Sequence, residues 1–198
     1  MATKIDTFIS YNPSFLTKKN ATKLFQLLKK HSELTKMMEM KLPTGDIVKY
    51  NFGKMMFLDR DLIEKNAFPK SAWGNTMEWP EYMLSIKEKV ENYTNEKFQT
   101  CVCIFYPDGN SGVAYHSDEV AFGDTNIIPS ISLGEERIFS LREKQTKEEN
   151  QLLLQHGSLL VMKDNCQKYY EHSLPINPEY LNPRINLTFR KYGLKNYF

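Results

Sequence analysis

Apolar residues in the first half of the chain repeat at helical spacing in two places. One stretch covers residues 18–31, and its apolar face contains Ala21, Leu24, Phe25 and Leu28. The other covers residues 80–94, where Pro80 suits a first helical position. Its apolar face contains Met83, Ile86, Val90 and Tyr93. Spacing of three and four residues predicts an amphipathic helix in each stretch.

Beyond residue 96 the pattern changes to short apolar or alternating segments separated by turn residues. The predicted strands cover 98–106, 127–133, 137–141, 158–162 and 184–192, with turns at 108–110 and 155–157. Residues 43–79 are interpreted as two short strands with connecting loops that form a lid over the site. Helices followed by strands indicate an α+β, mainly β fold, a sandwich or jelly roll supported by N-terminal helices.

Length and composition indicate one globular domain over residues 1–198. Hydrophobic residues make up 41% of the chain, and there are no repeats or linker-like stretches. The three cysteines lack metal-type spacing and are typical of buried thiols in a reducing compartment. No signal-like or membrane-length apolar run occurs, so we expect a soluble intracellular monomer, cytoplasmic or nuclear.

Positive charge is concentrated at the two ends of the chain, although the formal net charge is only +2. Residues 1–41 contain eight lysines against three carboxylates, and residues 184–198 contain four cations and no acid. Positive ends could meet a phosphate backbone. A solvated lysine face explains the first stretch equally well.

A candidate metal site begins with His116 and Asp118. Side chains at i and i+2 of an extended segment point to the same face, so an imidazole and a carboxylate can reach one ion. His172, 54 residues further along, completes two histidines and one carboxylate, the facial triad of non-haem iron(II) oxygenases. A buried structural histidine is the alternative for His172. His31 and His156 are interpreted as structural.

Residues 184–190 predict a strand with one apolar and one basic face. The alternation places Arg184, Asn186, Thr188 and Arg190 on one side. Two buried arginines need anionic partners, and a dicarboxylate such as 2-oxoglutarate supplies two. An exposed strand with solvated arginines is the alternative.

Taken together, these segments resemble the AlkB family of iron(II)- and 2-oxoglutarate-dependent oxygenases. The motifs are HSD at 116–118, PSISLG at 129–134, HGSLLVM at 156–162, EHSLP at 171–175 and PRINLTFR at 183–190. The resemblance covers residues 79–192 and leaves 1–78 as an N-terminal extension. It implies a double-stranded β-helix, the jelly roll that the strand pattern also indicates.

The resemblance implies a role for several residues. Iron(II) would be held by His116, Asp118 and His172. Arg184 would bind the distal carboxylate of 2-oxoglutarate, and Arg190 would support the carboxylate that chelates iron. The same pocket would be lined by Tyr106, Ser130 and Asn186.

Two positions depart from the family pattern. Ile104 stands where the family usually has an asparagine that binds the co-substrate, and Val120 stands where several demethylases have an acid near the base. Glu119 is the nearest acid and is a predicted substrate-binding residue. Candidates for stacking on a substrate base are Tyr115, Trp73 and Trp79, although each of them also suits a core position.

The implied reaction uses Fe(II), 2-oxoglutarate and O2. Oxidative decarboxylation gives succinate and CO2, and hydroxylation of an N-methyl carbon gives a hemiaminal that releases formaldehyde. A base inside a duplex cannot reach such a centre, so the substrate would be single-stranded or flipped nucleic acid. An oxygenase acting on a protein side chain or small molecule and a non-catalytic binding module are the alternatives.

Overall fold

The computed structural model describes residues 4–42, 44–118 and 123–193. A 3-10 helix over Lys4–Thr7 precedes six helices: α1 Lys18–Lys29, α2 Ser32–Thr35, α3 Arg60–Glu64, α4 Lys70–Trp73, α5 Glu81–Thr94 and α6 Cys166–Tyr169. The first six strands are β1 Ile9–Asn12, β2 Met37–Lys41, β3 Ile47–Leu58, β4 Asn75–Glu78, β5 Thr100–Tyr106 and β6 Val113–His116. The other six are β7 Ile128–Gly134, β8 Arg137–Glu143, β9 Glu149–Leu154, β10 Leu159–Met162, β11 Tyr170–Leu174 and β12 Arg184–Arg190.

The strands form two sheets. The larger sheet has the order β1-β10-β7-β12-β5-β3-β2, and β4 pairs in parallel with β3. The smaller sheet has the order β6-β11-β8-β9. Apart from the β3–β4 pair and an isolated parallel bridge between Gly123 and Gly193, the ladders are antiparallel. The predicted mainly β jelly roll is therefore confirmed.

Helices α1 and α5 cover the outer face of the larger sheet. The apolar residues of β12, namely Ile185, Leu187 and Phe189, are fully buried in this layer. Trp79 stacks on Phe189 with ring centroids 6.1 Å apart, and on its other neighbour Phe57 at 6.0 Å. The predicted apolar face of residues 184–190 is thus the face that holds the helices.

The predicted helices form with small differences at their ends. Helix α1 begins after Thr17, whose side chain accepts a hydrogen bond from the backbone N–H of Asn20, and it ends at Lys29, before His31. Pro80 is the N-cap of α5 and not its first residue. Tyr93 is 48% exposed, contrary to its predicted place on the buried face, although its ring makes a T-shaped contact with Phe15.

Residues 43–79 differ most from the prediction. The first strand here, β3, has 12 residues and is not short, and the connection to β4 contains the helices α3 and α4. Most of the second half of β3 is buried, whereas its first half alternates between exposed and half-buried residues. Gly53 lets β3 pass α2 closely, since a Cβ there would lie 1.8 Å from the Leu34 carbonyl oxygen. The segment extends the larger sheet, and its role as a lid over the site stays a prediction.

The state of the cysteines and the length of the helices can also be compared with the sequence-based predictions. Cys101, Cys103 and Cys166 are buried and free, as predicted, and burial raises the pKa of each thiol. Within the described ranges, no helix is both long and apolar enough to cross a membrane.

The Phe189 ring is expected to carry much of the stability of the helix–sheet layer. Phe189→Ala should lower the free energy of unfolding by about 3–5 kcal/mol, because the helices cannot fully close the cavity. Urea denaturation of the two proteins measures the difference. Leu181→Ala is the control: Leu181 is 78% exposed, so its loss should change stability by less than about 0.5 kcal/mol. Equal effects of the two substitutions would contradict this account of the core.

Candidate metal centre and co-substrate pocket

A cavity of about 470 Å³ lies between the two sheets. One wall is the inner face of the larger sheet, with residues of β3, β5, β7 and β12. The opposite wall comes from β6, β8 and β11 of the smaller sheet. A cavity of this size suits a small co-substrate together with part of a larger molecule.

Three potential metal ligands meet on the smaller sheet. His116 of β6 and His172 of β11 are partners in the antiparallel register, and their ring centroids are 4.3 Å apart. Asp118 follows β6 by two residues, and one ligand atom from each of the three residues lies within 4.8 Å of the others. Two imidazoles and one carboxylate at this spacing can hold a divalent metal ion on one side and leave positions open on the other.

The surroundings of the two histidines favour the uncharged, correctly oriented imidazole that a metal ion requires. The Nδ1–H of His116 donates to the carbonyl oxygen of Ala114 at 2.8 Å, which leaves Nε2 with its lone pair. Burial lowers the pKa of His172 to about 4; Asp118 opposes this shift, while His116 and Arg190 add to it. At neutral pH His172 is therefore uncharged and able to act as a ligand.

Asp118 is oriented from two directions. Its backbone N–H donates to Oε1 of Gln167 at 2.8 Å, and Nη1 of Arg190 lies 3.4 Å from its Oδ1. Gln167 is buried and comes from α6, close to His172 in sequence. The sequence reading missed Gln167, since a glutamine in a short helix carries no signal of its own.

Arg184 is a buried cation without a carboxylate partner among the described residues. Its side chain is 2% exposed, and its Nη2 donates to Oγ of Ser132 at 2.9 Å and to Oδ1 of Asn186 at 3.0 Å. Its Nε has no hydrogen-bond partner. Burial lowers the pKa of Arg184 to about 10, yet the group stays charged at neutral pH. An anion at this position would complete the site.

Polar side chains continue from Arg184 along β7 and β12. Ser130 donates to Oδ1 of Asn186 at 3.0 Å, and Nδ2 of Asn186 donates to Oγ1 of Thr188 at 2.7 Å. Ser132 was missed by the sequence reading, although it lies two residues after Ser130 and therefore on the same face of β7. These hydrogen bonds fix the orientation of the Asn186 amide, because Ser130 of β7 contacts its oxygen and Thr188 of β12 contacts its nitrogen.

Tyr106 lies next to two buried guanidinium groups. Its ring centroid is 5.5 Å from Cζ of Arg184 and 5.8 Å from Cζ of Arg137. Arg137, which the sequence reading did not single out, donates to the carbonyl oxygens of Asp108 and Pro175. It thus ties two loops together at the Arg184 end of the cavity.

The predicted substrate residues have different positions. Trp73 lines the cavity and stays a candidate for stacking. Tyr115 is not among the cavity-lining residues, and the Arg142 guanidinium lies 3.7 Å from its ring centroid, so its role in substrate binding stays a prediction. Trp79 is buried in the helix layer, and Glu119 and Val120 lie outside the described residues.

The C-terminal positive charge is mostly not a surface feature. Arg184 and Arg190 are both 2% exposed, and Lys191 is buried in an ion pair with Glu96 at 2.9 Å. The sequence idea of a positive C-terminal end for a phosphate backbone is therefore wrong for these three residues. Their charge is directed into the molecule.

A protein-family model matches most of the chain. The family model described as "2OG-Fe(II) oxygenase superfamily" matches residues 8–190. The chain belongs to the 2OG-Fe(II) oxygenase superfamily. The match begins well before residue 79, so the region that resembles the family is longer than the motifs indicated.

Individual relatives of this superfamily confirm the AlkB-like resemblance. The chain is 34% identical over 122 residues to the alpha-ketoglutarate-dependent dioxygenase alkB homolog 3 of Mus musculus, covering 57% of this chain and 43% of that protein. It is 33% identical over 124 residues to the DNA oxidative demethylase ALKBH2 of Bos taurus, covering 57% and 44%. The chain thus spans less than half the length of these two relatives.

A solved structure supports the fold. OsALKBH1 superposes with a TM-score of 0.61 over 92% of this chain and 97% of that chain, at 15% sequence identity. At this identity the likeness concerns the jelly roll alone.

Metal binding should depend on all three residues of the centre. His172→Ala should weaken binding of Mn²⁺, a redox-stable probe, by more than the roughly 10–100-fold typical of residues that only orient a ligand. Calorimetric titration measures the affinity. His31→Ala is the control, since the Nε2 atom of His31 bonds the Tyr82 hydroxyl at 2.6 Å in another part of the molecule. Unchanged affinity in His172→Ala would remove His172 from the metal centre.

Proposed function

We propose that the protein is an iron(II)- and 2-oxoglutarate-dependent dioxygenase that oxidatively demethylates N-alkylated bases in DNA or RNA. The observation that carries the proposal is the pairing, across one cavity, of a two-histidine, one-carboxylate centre with a buried arginine that lacks an anion. The names of the two curated relatives support the dioxygenase chemistry, and that of ALKBH2 supports demethylation.

Fe(II) would be held by His116, Asp118 and His172. When bound, it supplies the oxidative chemistry that couples decarboxylation of 2-oxoglutarate by O2 to hydroxylation of a C–H bond. The chain itself contributes position: the Ala114 carbonyl orients His116, and Gln167 orients the backbone at Asp118. Hydroxylation of an N-methyl group would yield a hemiaminal, which releases formaldehyde and the unmodified base.

2-Oxoglutarate would lie along β12 between its two arginines. The free Nε of Arg184 suits the distal carboxylate, with Tyr106 and Asn186 beside it. Arg190, next to Asp118, suits the carboxylate near the metal. Each guanidinium can form charge-assisted hydrogen bonds, and these compensate the cost of its burial.

Ile104 leaves this site with one polar group fewer than the family pattern. It lines the cavity directly opposite Asn186 in the β5–β12 register. Asn186 is already held by Ser130 and Thr188, so its orientation does not depend on a polar residue at position 104. The arginines would therefore provide most of the affinity for the co-substrate.

The substrate base would enter along β3 and α4. Tyr50, Phe52 and Trp73 line this part of the cavity and are half-buried, as expected for aromatic groups that can stack on a base. Only an unstacked base could reach the metal centre from here, which favours a single-stranded or flipped substrate. This wall is part of the segment 43–79, which the sequence predicted to form a lid over the site.

The guanidinium geometry of Arg184 should matter more than its charge. Arg184→Lys keeps a cation but loses the planar fork, so the KM for 2-oxoglutarate should rise about 10–100-fold through loss of a charge-assisted hydrogen bond. Succinate formation against 2-oxoglutarate concentration measures it, with Mn²⁺ affinity as a check on the metal centre. Arg60→Lys, at an exposed ion pair with Glu78, is the control and should keep the wild-type KM. A normal KM in Arg184→Lys would refute the proposed binding of 2-oxoglutarate by Arg184.

Substrate class is tested by comparing methylated substrates directly. We expect formaldehyde release, with matching succinate, from N-methylated single-stranded DNA or RNA and not from the unmethylated strands. Binding should weaken as salt increases, because neutralised phosphates release counterions. Turnover of 2-oxoglutarate that no nucleic acid stimulates would contradict the proposal and favour an oxygenase for proteins or small molecules.

A further inference from the structure

Lys54 is a cation on the wall of the cavity, outside the co-substrate site. The β3–β5 register places it opposite Ile104, which is in turn opposite Asn186 of β12. Lys54 therefore shares a row of the larger sheet with Asn186. It lies two strands closer to the edge, about 10 Å away at the usual strand spacing.

Lys54 has no anionic partner in the part of the chain that the structure describes. Its Nζ makes neither a hydrogen bond nor an ion pair with residues 4–42, 44–118 or 123–193, and it lies 5.4 Å from the centroid of a Trp73 ring. Burial lowers the pKa of Lys54, and no carboxylate opposes the shift. A half-buried lysine normally has a counter-ion, so this one is suited to an external anion.

The other charges of the cavity do not supply that anion. Lys54, Arg184 and Arg190 are the permanent cations among its described lining residues. The two carboxylates of 2-oxoglutarate are assigned to the arginines, and the Asp118 carboxylate faces Arg190. None of these carboxylates is assigned to Lys54, so an anionic group of the substrate is a suitable partner for it.

We propose that Lys54 and Trp73 form a phosphate-binding subsite for the substrate nucleotide. This rests on the proposed function, because the anion nearest to a base in a nucleic acid is the phosphate of its own backbone. Lys54 would donate to a phosphate oxygen, for which a compact ammonium group is well suited. Trp73 would hold the lysine chain and present its ring to the adjoining sugar or base.

The test compares Lys54→Met with Lys49→Met. Lys49 lies on the same strand, five residues earlier and hence on the opposite face, and it forms an exposed ion pair with Glu39 at 3.6 Å. Each variant is titrated with an N-methylated nucleoside and with its 5′-monophosphate, and quenching of tryptophan fluorescence reports binding. The chain has two tryptophans, one of which is Trp73 beside the subsite.

We expect the wild-type protein and Lys49→Met to bind the monophosphate at least about tenfold more tightly than the nucleoside, as for a charge-assisted hydrogen bond. Lys54→Met should bind the two ligands equally, and Lys54→Arg should restore most of the preference. A preference that survives in Lys54→Met, or that the wild-type protein lacks, overturns the subsite. The subsite is also overturned if Lys49→Met loses the preference for the monophosphate as completely as Lys54→Met does.

This readout separates the subsite from the proposed function. Binding requires no turnover, so a phosphate preference that depends on Lys54 supports the subsite even where no methylated strand yields formaldehyde. Formaldehyde release from nucleic acid without that dependence supports the function and overturns the subsite. A raised KM for 2-oxoglutarate in Lys54→Met, with an unchanged phosphate preference, would assign Lys54 to the co-substrate and also overturn the subsite.

Discussion

The position of β12 in the middle of the larger sheet is the constraint on which the site depends. Pairing with β5 on one side and β7 on the other determines the orientation of every residue of Arg184–Arg190. A shift of one residue would exchange the two faces and expose Leu187 to the cavity. Apolar packing against the helices therefore holds the arginines in the interior, even though their burial is unfavourable in itself.

The site is assembled from two sheets with different tasks. The candidate metal ligands come from β6, β11 and the residues after β6, whereas the co-substrate groups come from β5, β7 and β12. Arg190 and Asp118 join the two sets directly at 3.4 Å. The packing between the sheets would thus determine the distance between a metal ion held by the three ligands and a co-substrate bound along β12.

The parts of the fold and of the candidate site that could be predicted from the sequence are those encoded by local patterns of neighbouring residues. The HSD triplet and the alternation of residues 184–190 are local patterns whose side-chain directions follow from strand geometry. Gln167, Arg137 and Lys54 were missed because their roles depend on contacts with distant segments, which no spacing encodes. The length of β3 was missed although Val48, Tyr50 and Phe52 alternate with Lys49 and Asn51, which is the pattern of a half-buried strand.

Under the proposed function, the Nε of Arg184, which has no hydrogen-bond partner among the described residues, would give the co-substrate a part in the stability of the fold. A buried donor left without an acceptor costs the folded state about 1–3 kcal/mol. A dicarboxylate bound there removes that cost and, by mass action, stabilises the native state in proportion to the logarithm of its concentration. Bound 2-oxoglutarate would therefore fill part of the protein interior and stabilise the folded chain. The abundance of this metabolite in the cell would then influence how long the folded chain persists, as well as how fast it works.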